Sequence, residues 1–92
     1  IATAYRQAGY DAARIPNSGG LRDPGDVTGV PGVHVEVKRA RERFNVWNAL
    51  DQTATEAPAA MVPALHFRRD RGGWWVAIPL DDWIELLKVR EL

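Results

Sequence analysis

Residues Gly25 to Lys38 constrain this chain more than any other stretch. Pro31-Gly32 is a strong turn signal, and after it Val33, Val35 and Val37 alternate with His34, Glu36 and Lys38. Strict alternation of this kind marks a half-buried β-strand. Val27 and Val30 lead into the turn, so the stretch reads as a β-hairpin with its valines on one face. His34, Glu36 and Lys38 then share the other face. The hairpin returns the Asp26 end of the first strand to the side of the second. Asp26, Glu36 and Lys38 are therefore expected at one spot on the sheet, where the two acids can hold a hard cation.

The rest of the composition sets bounds. Ninety-two residues make one small domain, 1–92. Hydrophobic residues at 46% and charged residues at 26% are ordinary for a globular chain and argue against disorder. Twelve basic and twelve acidic residues cancel, so the overall basic charge common in nucleic-acid binders is absent. Charge is clustered instead: Lys38, Arg39, Arg41 and Arg43 lie together, as do Arg68, Arg69 and Arg71. Cysteine is absent, which removes disulfides and thiolate metal sites and fits a cytoplasmic setting. No apolar run reaches membrane-spanning length.

Along the chain, Ala2 to Ala8 reads as the end of a helix stopped by Gly9, with its start expected upstream of Ile1. Tyr10 to Pro16 reads as a strand, and Asn17 to Gly25 as a polar loop. After the hairpin and a charged connector, Arg39 to Arg43, a helix spans Phe44 to Ala57. Trp47, Leu50 and Ala54 form its apolar stripe, Asn48, Gln52 and Glu56 another face, and Pro58 ends it. Met61 to Phe67 and Trp74 to Pro79 are strands joined by an Arg71-Gly72-Gly73 turn. Asp81 caps a final helix whose buried stripe is expected to be Trp83, Ile84 and Leu87. The strand-helix-strand crossover implies an α/β domain with a mixed central sheet flanked by helices. Trp47, Trp74 and Trp83 are expected in the core. Trp75 faces away from Trp74 and is expected to be exposed or in a subunit interface, hence a homodimer.

Gly25-Asp26, a short hairpin and then Glu36-Val37-Lys38, on this element order, resemble the PD-(D/E)xK nuclease superfamily. Within it the chain looks most like the archaeal and phage type of Holliday junction resolvase. Arg14 and the Ser18-Gly19-Gly20 loop ahead of the acid, Gln52 on the following helix and the closing Trp74 to Leu87 strand-helix all fit. The resemblance covers nearly the whole chain and implies a restriction-endonuclease-like αβββαβ core. Two positions depart from the pattern. Gly25 replaces the family's proline, with Pro24 one residue earlier. No acid lies between Ile1 and Tyr10, so the first-helix metal ligand of those resolvases is expected upstream of Ile1.

The resemblance implies a bacterial, archaeal or phage-encoded endodeoxyribonuclease that uses Mg²⁺ or Mn²⁺ on four-way DNA junctions. Asp26, Glu36 and the backbone carbonyl of Val37 would hold the metal. Lys38 would orient the attacking water or stabilise the transition state, with Gln52 positioning Lys38 or the water. Arg14, Ser18, Arg39, Arg41 and Arg43 would contact DNA phosphates without sequence preference. Other readings stay open: a nuclease for duplex or flap DNA, an inactive binder of branched DNA, or an interaction domain with no nucleic-acid role. In the last case Glu36 and Lys38 are an exposed surface pair of small energetic weight. His34 shares the face of Glu36 but is expected in a surface or packing role, having no metal-ligand partner at hairpin or helical spacing.

Overall fold

A computed structural model describes residues 1–15, 27–40 and 45–90, with the side chains of 39 and 40 left aside. The elements follow the order α1 (Ala2–Gln7), β1 (Ala13–Arg14), β2 (Val27–Thr28), β3 (Val33–Ala40), α2 (Val46–Glu56), β4 (Val62–Arg69), β5 (Trp75–Ala77) and α3 (Leu80–Arg90). The five strands form one sheet in sequence order, β1-β2-β3-β4-β5. Only β3 and β4 run parallel, and α2 is the crossover between them. The other neighbours are antiparallel. The α/β architecture with a mixed sheet is therefore the one expected.

Local chemistry explains the turns and caps. Val33 N–H donates to the Val30 carbonyl at 3.2 Å, closing the Pro31-Gly32 turn, and Gly32 takes φ +74° as the second central residue of a type II turn must. Gly29 has φ +91°, and a Cβ there would run into the Asp11 carbonyl and lie 2.9 Å from Ala12 Cα. Only glycine lets β2 lie this close to the segment leading into β1. Asn45 caps α2, its side chain accepting from the backbone N–H groups of Trp47 at 2.9 Å and Asn48 at 3.1 Å. The helix thus starts at Val46, and Pro58 follows its end.

The registers assign side chains to faces. Val35 pairs with Ala64 and Val37 with His66, while Val27 pairs with Val35. Ala12, Val27, Val30, Val35 and Val37 make the apolar cluster on this face, with Ile1, Ala2 and Tyr5 of the α1 region and Trp74 packed against it. Trp74 lies beneath the Arg68 guanidinium at 4.8 Å. On the opposite face Glu36 pairs with Leu65, Lys38 with Phe67, and His34 with Pro63. Ala49 and Thr53 of α2 are buried, and Thr53 Oγ1 satisfies itself on the Ala49 carbonyl at 2.7 Å. The pocket that Thr53 and Ala54 of α2 share with Pro63 and Ala77 sets the helix over this second face.

Three expectations about burial are overturned. β3 is not half-buried: Val35, Glu36 and Val37 are all buried, because elements pack on both faces of the parallel pair. The apolar stripe of α3 is not in the core. No α3 residue is buried, with Trp83 and Ile84 exposed and Leu87 half-buried. Trp47, at the first turn of α2, is 72% exposed. Helical periodicity shows which side of a helix seeks cover but not what covers it, and α3 follows a three-residue strand at the end of the sheet order. Trp75, at 70% exposed, is on the surface as expected.

Candidate metal centre

Glu36 sits in the middle of β3 with 1% of its surface exposed. Residues two apart on a strand share a face, so Glu36 has His34 before it and Lys38 after it. Lys38 Nζ is 3.8 Å from Glu36 Oε1, and its side chain is 26% exposed against 2% for the glutamate. The buried carboxylate therefore pairs with a cation that reaches toward water.

The crossover helix completes the arrangement. The last turn of α2 brings Glu56 to the same face, and the ligand atoms of His34, Glu36 and Glu56 all lie within 4.8 Å of one another. This group could hold a metal ion. His34 Nε2 is buried and has no hydrogen-bond partner among the described residues. Glu56 is exposed. Gln52, one helical turn earlier, donates from Nε2 to Glu56 Oε1 at 3.0 Å. Two carboxylates and one imidazole are a chemically sound donor set for a divalent cation.

The expected site residues divide. Glu36 and Lys38 are together, as the hairpin implied. Asp26, Ser18, Arg41 and Arg43 lie outside the described residues, as does the side chain of Arg39. Gln52 is exposed and bonded to Glu56. The Arg14 register with Val27, and of Val27 with Val35, sets Arg14 on the α1 face, away from Glu36. The Val37 side chain is in the apolar cluster and its backbone in the ladder opposite His66. His34 is corrected: it has metal-ligand neighbours, one of them 22 positions along the chain, where neither hairpin nor helical spacing looks. Glu56 was legible only as a polar residue one turn beyond Gln52.

The second histidine shows the contrast. His66 Nδ1 lies 3.0 Å from the Ala64 carbonyl and Nε2 lies 2.5 Å from the Tyr5 hydroxyl. The carbonyl can only accept, so Nδ1 carries the proton and Tyr5 donates to Nε2. Burial holds the His66 pKa below its ordinary 6.5, against the upward pull of the Ala64 and Glu36 backbone. Burial likewise raises the Tyr5 hydroxyl above 10.0, with Tyr10 adding to it. The neutral pair fastens α1 to β4. Comparison with protein-family models, curated proteins and solved structures finds no match to this chain.

Proposed function

We propose that the chain is a metal-dependent endodeoxyribonuclease of the PD-(D/E)xK type, acting on four-way DNA junctions. One observation carries the reading: a carboxylate buried to 1% exposure, Glu36, is paired across 3.8 Å with Lys38 and flanked by further metal-ligating groups. A buried charge pair of this kind is weak support for stability and often costs it. Partly desolvated charge clusters of this kind recur at functional sites.

On this reading Asp26, Glu36 and the Val37 carbonyl hold Mg²⁺ or Mn²⁺. The bound cation supplies an acidified water and charge neutralisation at the scissile phosphate. Lys38 contributes a mobile point charge with three donors, which suits orienting the water and stabilising the phosphorane-like charge. The water would give up a proton to solvent as its oxygen bonds to phosphorus, one bridging P–O bond would break, and the departing alkoxide would take up a proton. Gln52 acts through Glu56, whose carboxylate it orients. Ser18, Arg39, Arg41 and Arg43 give sequence-independent affinity for phosphates, and Arg14 adds to it from the α1 face, away from the metal.

A second copy of the chain is the proposed partner. Trp75 and Val76 on β5 and Leu80, Trp83, Leu86 and Val89 on α3 are exposed apolar residues, and apolar exposure on this scale supports association. A two-fold dimer would offer two sites for symmetric nicks. The test is cleavage of a labelled four-way junction and a matched duplex with Mg²⁺, Mn²⁺ or EDTA, with sedimentation on the same sample. Paired, metal-dependent nicks in the junction alone are expected from a dimer. A protein that sediments as a monomer at every concentration, or that cleaves neither DNA, removes the respective part of the proposal.

A further inference from the structure

We propose that His34, Glu36 and Glu56 form a site for an imidazole-accepting first-row divalent cation, Zn²⁺, Co²⁺ or Mn²⁺ in preference to Mg²⁺, and that the ion ties the end of α2 to β3. This goes beyond the nuclease reading: the site shares Glu36 with it, but His34 and Glu56 are side chains that the resemblance leaves out, so metal binding through them is tested without it.

The geometry supplies the first argument. Two donors come from one face of β3 and the third from the last turn of the helix crossing it, with ligand atoms inside 4.8 Å. A first-row ion with ligands at about 2.0–2.2 Å needs a small contraction of that triangle. Glu56 is exposed, so the contraction moves its carboxylate together with the Gln52 amide bonded to it. His34 supplies the second argument. Its Nε2 has lost water without gaining a hydrogen-bond partner among the described residues. A buried ring nitrogen is normally satisfied, as His66 is at both of its nitrogens. A metal ion is the partner that uses a lone pair and needs no donor hydrogen. Gln52 is the third argument. Its 3.0 Å bond to Glu56 Oε1 is the outer-sphere contact that fixes a ligating carboxylate.

Charge and ligand type choose the ion. Two carboxylates and the Lys38 ammonium sum to one negative charge, which favours a dication. Mg²⁺ demands oxygen donors and retains its waters, whereas an imidazole donor favours later first-row ions. Three protein ligands leave positions open for water or substrate.

The experiment titrates the metal-free 92-residue chain with ZnCl₂, CoCl₂, MnCl₂ and MgCl₂ by calorimetry, and follows the visible spectrum of the Co²⁺ form. His34→Ala, Glu56→Gln and Gln52→Ala are compared with Asp51→Asn, an exposed acid on the same helix. One ion per chain is expected, with Mg²⁺ at least about 10-fold weaker. His34→Ala and Glu56→Gln should weaken Zn²⁺ by about 100-fold or more, and Gln52→Ala by about 10-fold. Asp51→Asn should bind as the parent does. Glu56 and Gln52 are on the surface, so their variants test the site even if His34→Ala folds poorly. No Zn²⁺ or Co²⁺ bound by the parent, or parental affinity in Glu56→Gln, overturns the proposal. DNA cleavage does not enter the readout, so loss of the nuclease reading and loss of this site are told apart.

Discussion

Replacing Glu36 by Gln separates function from stability. The carboxylate is 1% exposed and faces Lys38 Nζ at 3.8 Å. At an effective dielectric of about 20, charges at that separation attract by about 4 kcal/mol. Lys38 is 26% exposed, and screening by water lowers that figure. Against it stands a desolvation cost of several kcal/mol for the buried carboxylate. The two nearly cancel. Gln keeps the shape, removes the charge and leaves Lys38 able to turn to solvent. The expected loss of stability is about 1 kcal/mol or less, a shift of no more than about 8 °C in the melting midpoint of a domain this size. Leu65, the fully buried neighbour of Glu36 on β4, provides the scale: Leu65→Ala should cost about 2–5 kcal/mol. Metal affinity and junction cleavage should fall in Glu36→Gln and hold in any Leu65 variant that remains folded. The assay is urea unfolding of both variants beside metal titration. A loss above about 3 kcal/mol in Glu36→Gln, with metal affinity unchanged, would make Glu36 a structural residue and refute the reasoning.

Gly29→Ala should destabilise the fold by more than about 1 kcal/mol, because φ is +91° and the new Cβ strikes the Asp11 carbonyl; an unchanged urea midpoint would count against the β1–β2 packing. Tyr5→Phe should cost about 1–3 kcal/mol by leaving His66 Nε2 buried without its donor, read in the same assay. The lowered His66 pKa sets a pH dependence. The unfolded chain takes up the proton near 6.5 and the folded chain only at lower pH, so stability is fully present above 6.5 and declines as pH falls below it. Urea midpoints between about pH 7.5 and 5 should show this slope, and His66→Gln should remove its histidine part; a slope identical in parent and variant would refute it.

Much of the fold was legible because it rests on local signals. Pro31-Gly32 sets the turn, Asn45 and Pro58 bracket α2, and the Val33–Val37 alternation marks β3. What covers each face is not local. The same alternation serves a strand with one wet face and a strand under a helix, and α2 makes β3 the second kind. The stripe on α3 is equally real in the sequence yet lies open, since periodicity names no partner. The junction of Glu56 with Glu36 could have been found by measuring lengths. Eleven helical residues run back about 16 Å, which is about five strand residues from Ala40. That returns the last turn of α2 to the neighbourhood of residue 35. Side-chain chemistry at that distance was invisible to spacing rules, which look along one element at a time.

The two histidines argue for why the site belongs on one face. Both project from the β3–β4 pair, and both are withdrawn from water. His66 lies on the α1 face with a donor at one nitrogen and an acceptor at the other, and burial keeps it neutral. A satisfied, neutral imidazole holds elements together and has no valence left for chemistry. His34 lies on the α2 face beside a buried carboxylate and a lysine, with a ring nitrogen that has no hydrogen-bond partner among the described residues. A chain selected only to fold gains nothing from that second arrangement, which costs desolvation at two groups. Among the described residues the buried ring nitrogen without a hydrogen-bond partner lies on the α2 face, while the opposite face is closed by valines and a Tyr–His bond. On the proposals above, the α1 side of the sheet serves stability and the side that α2 covers serves ligand chemistry.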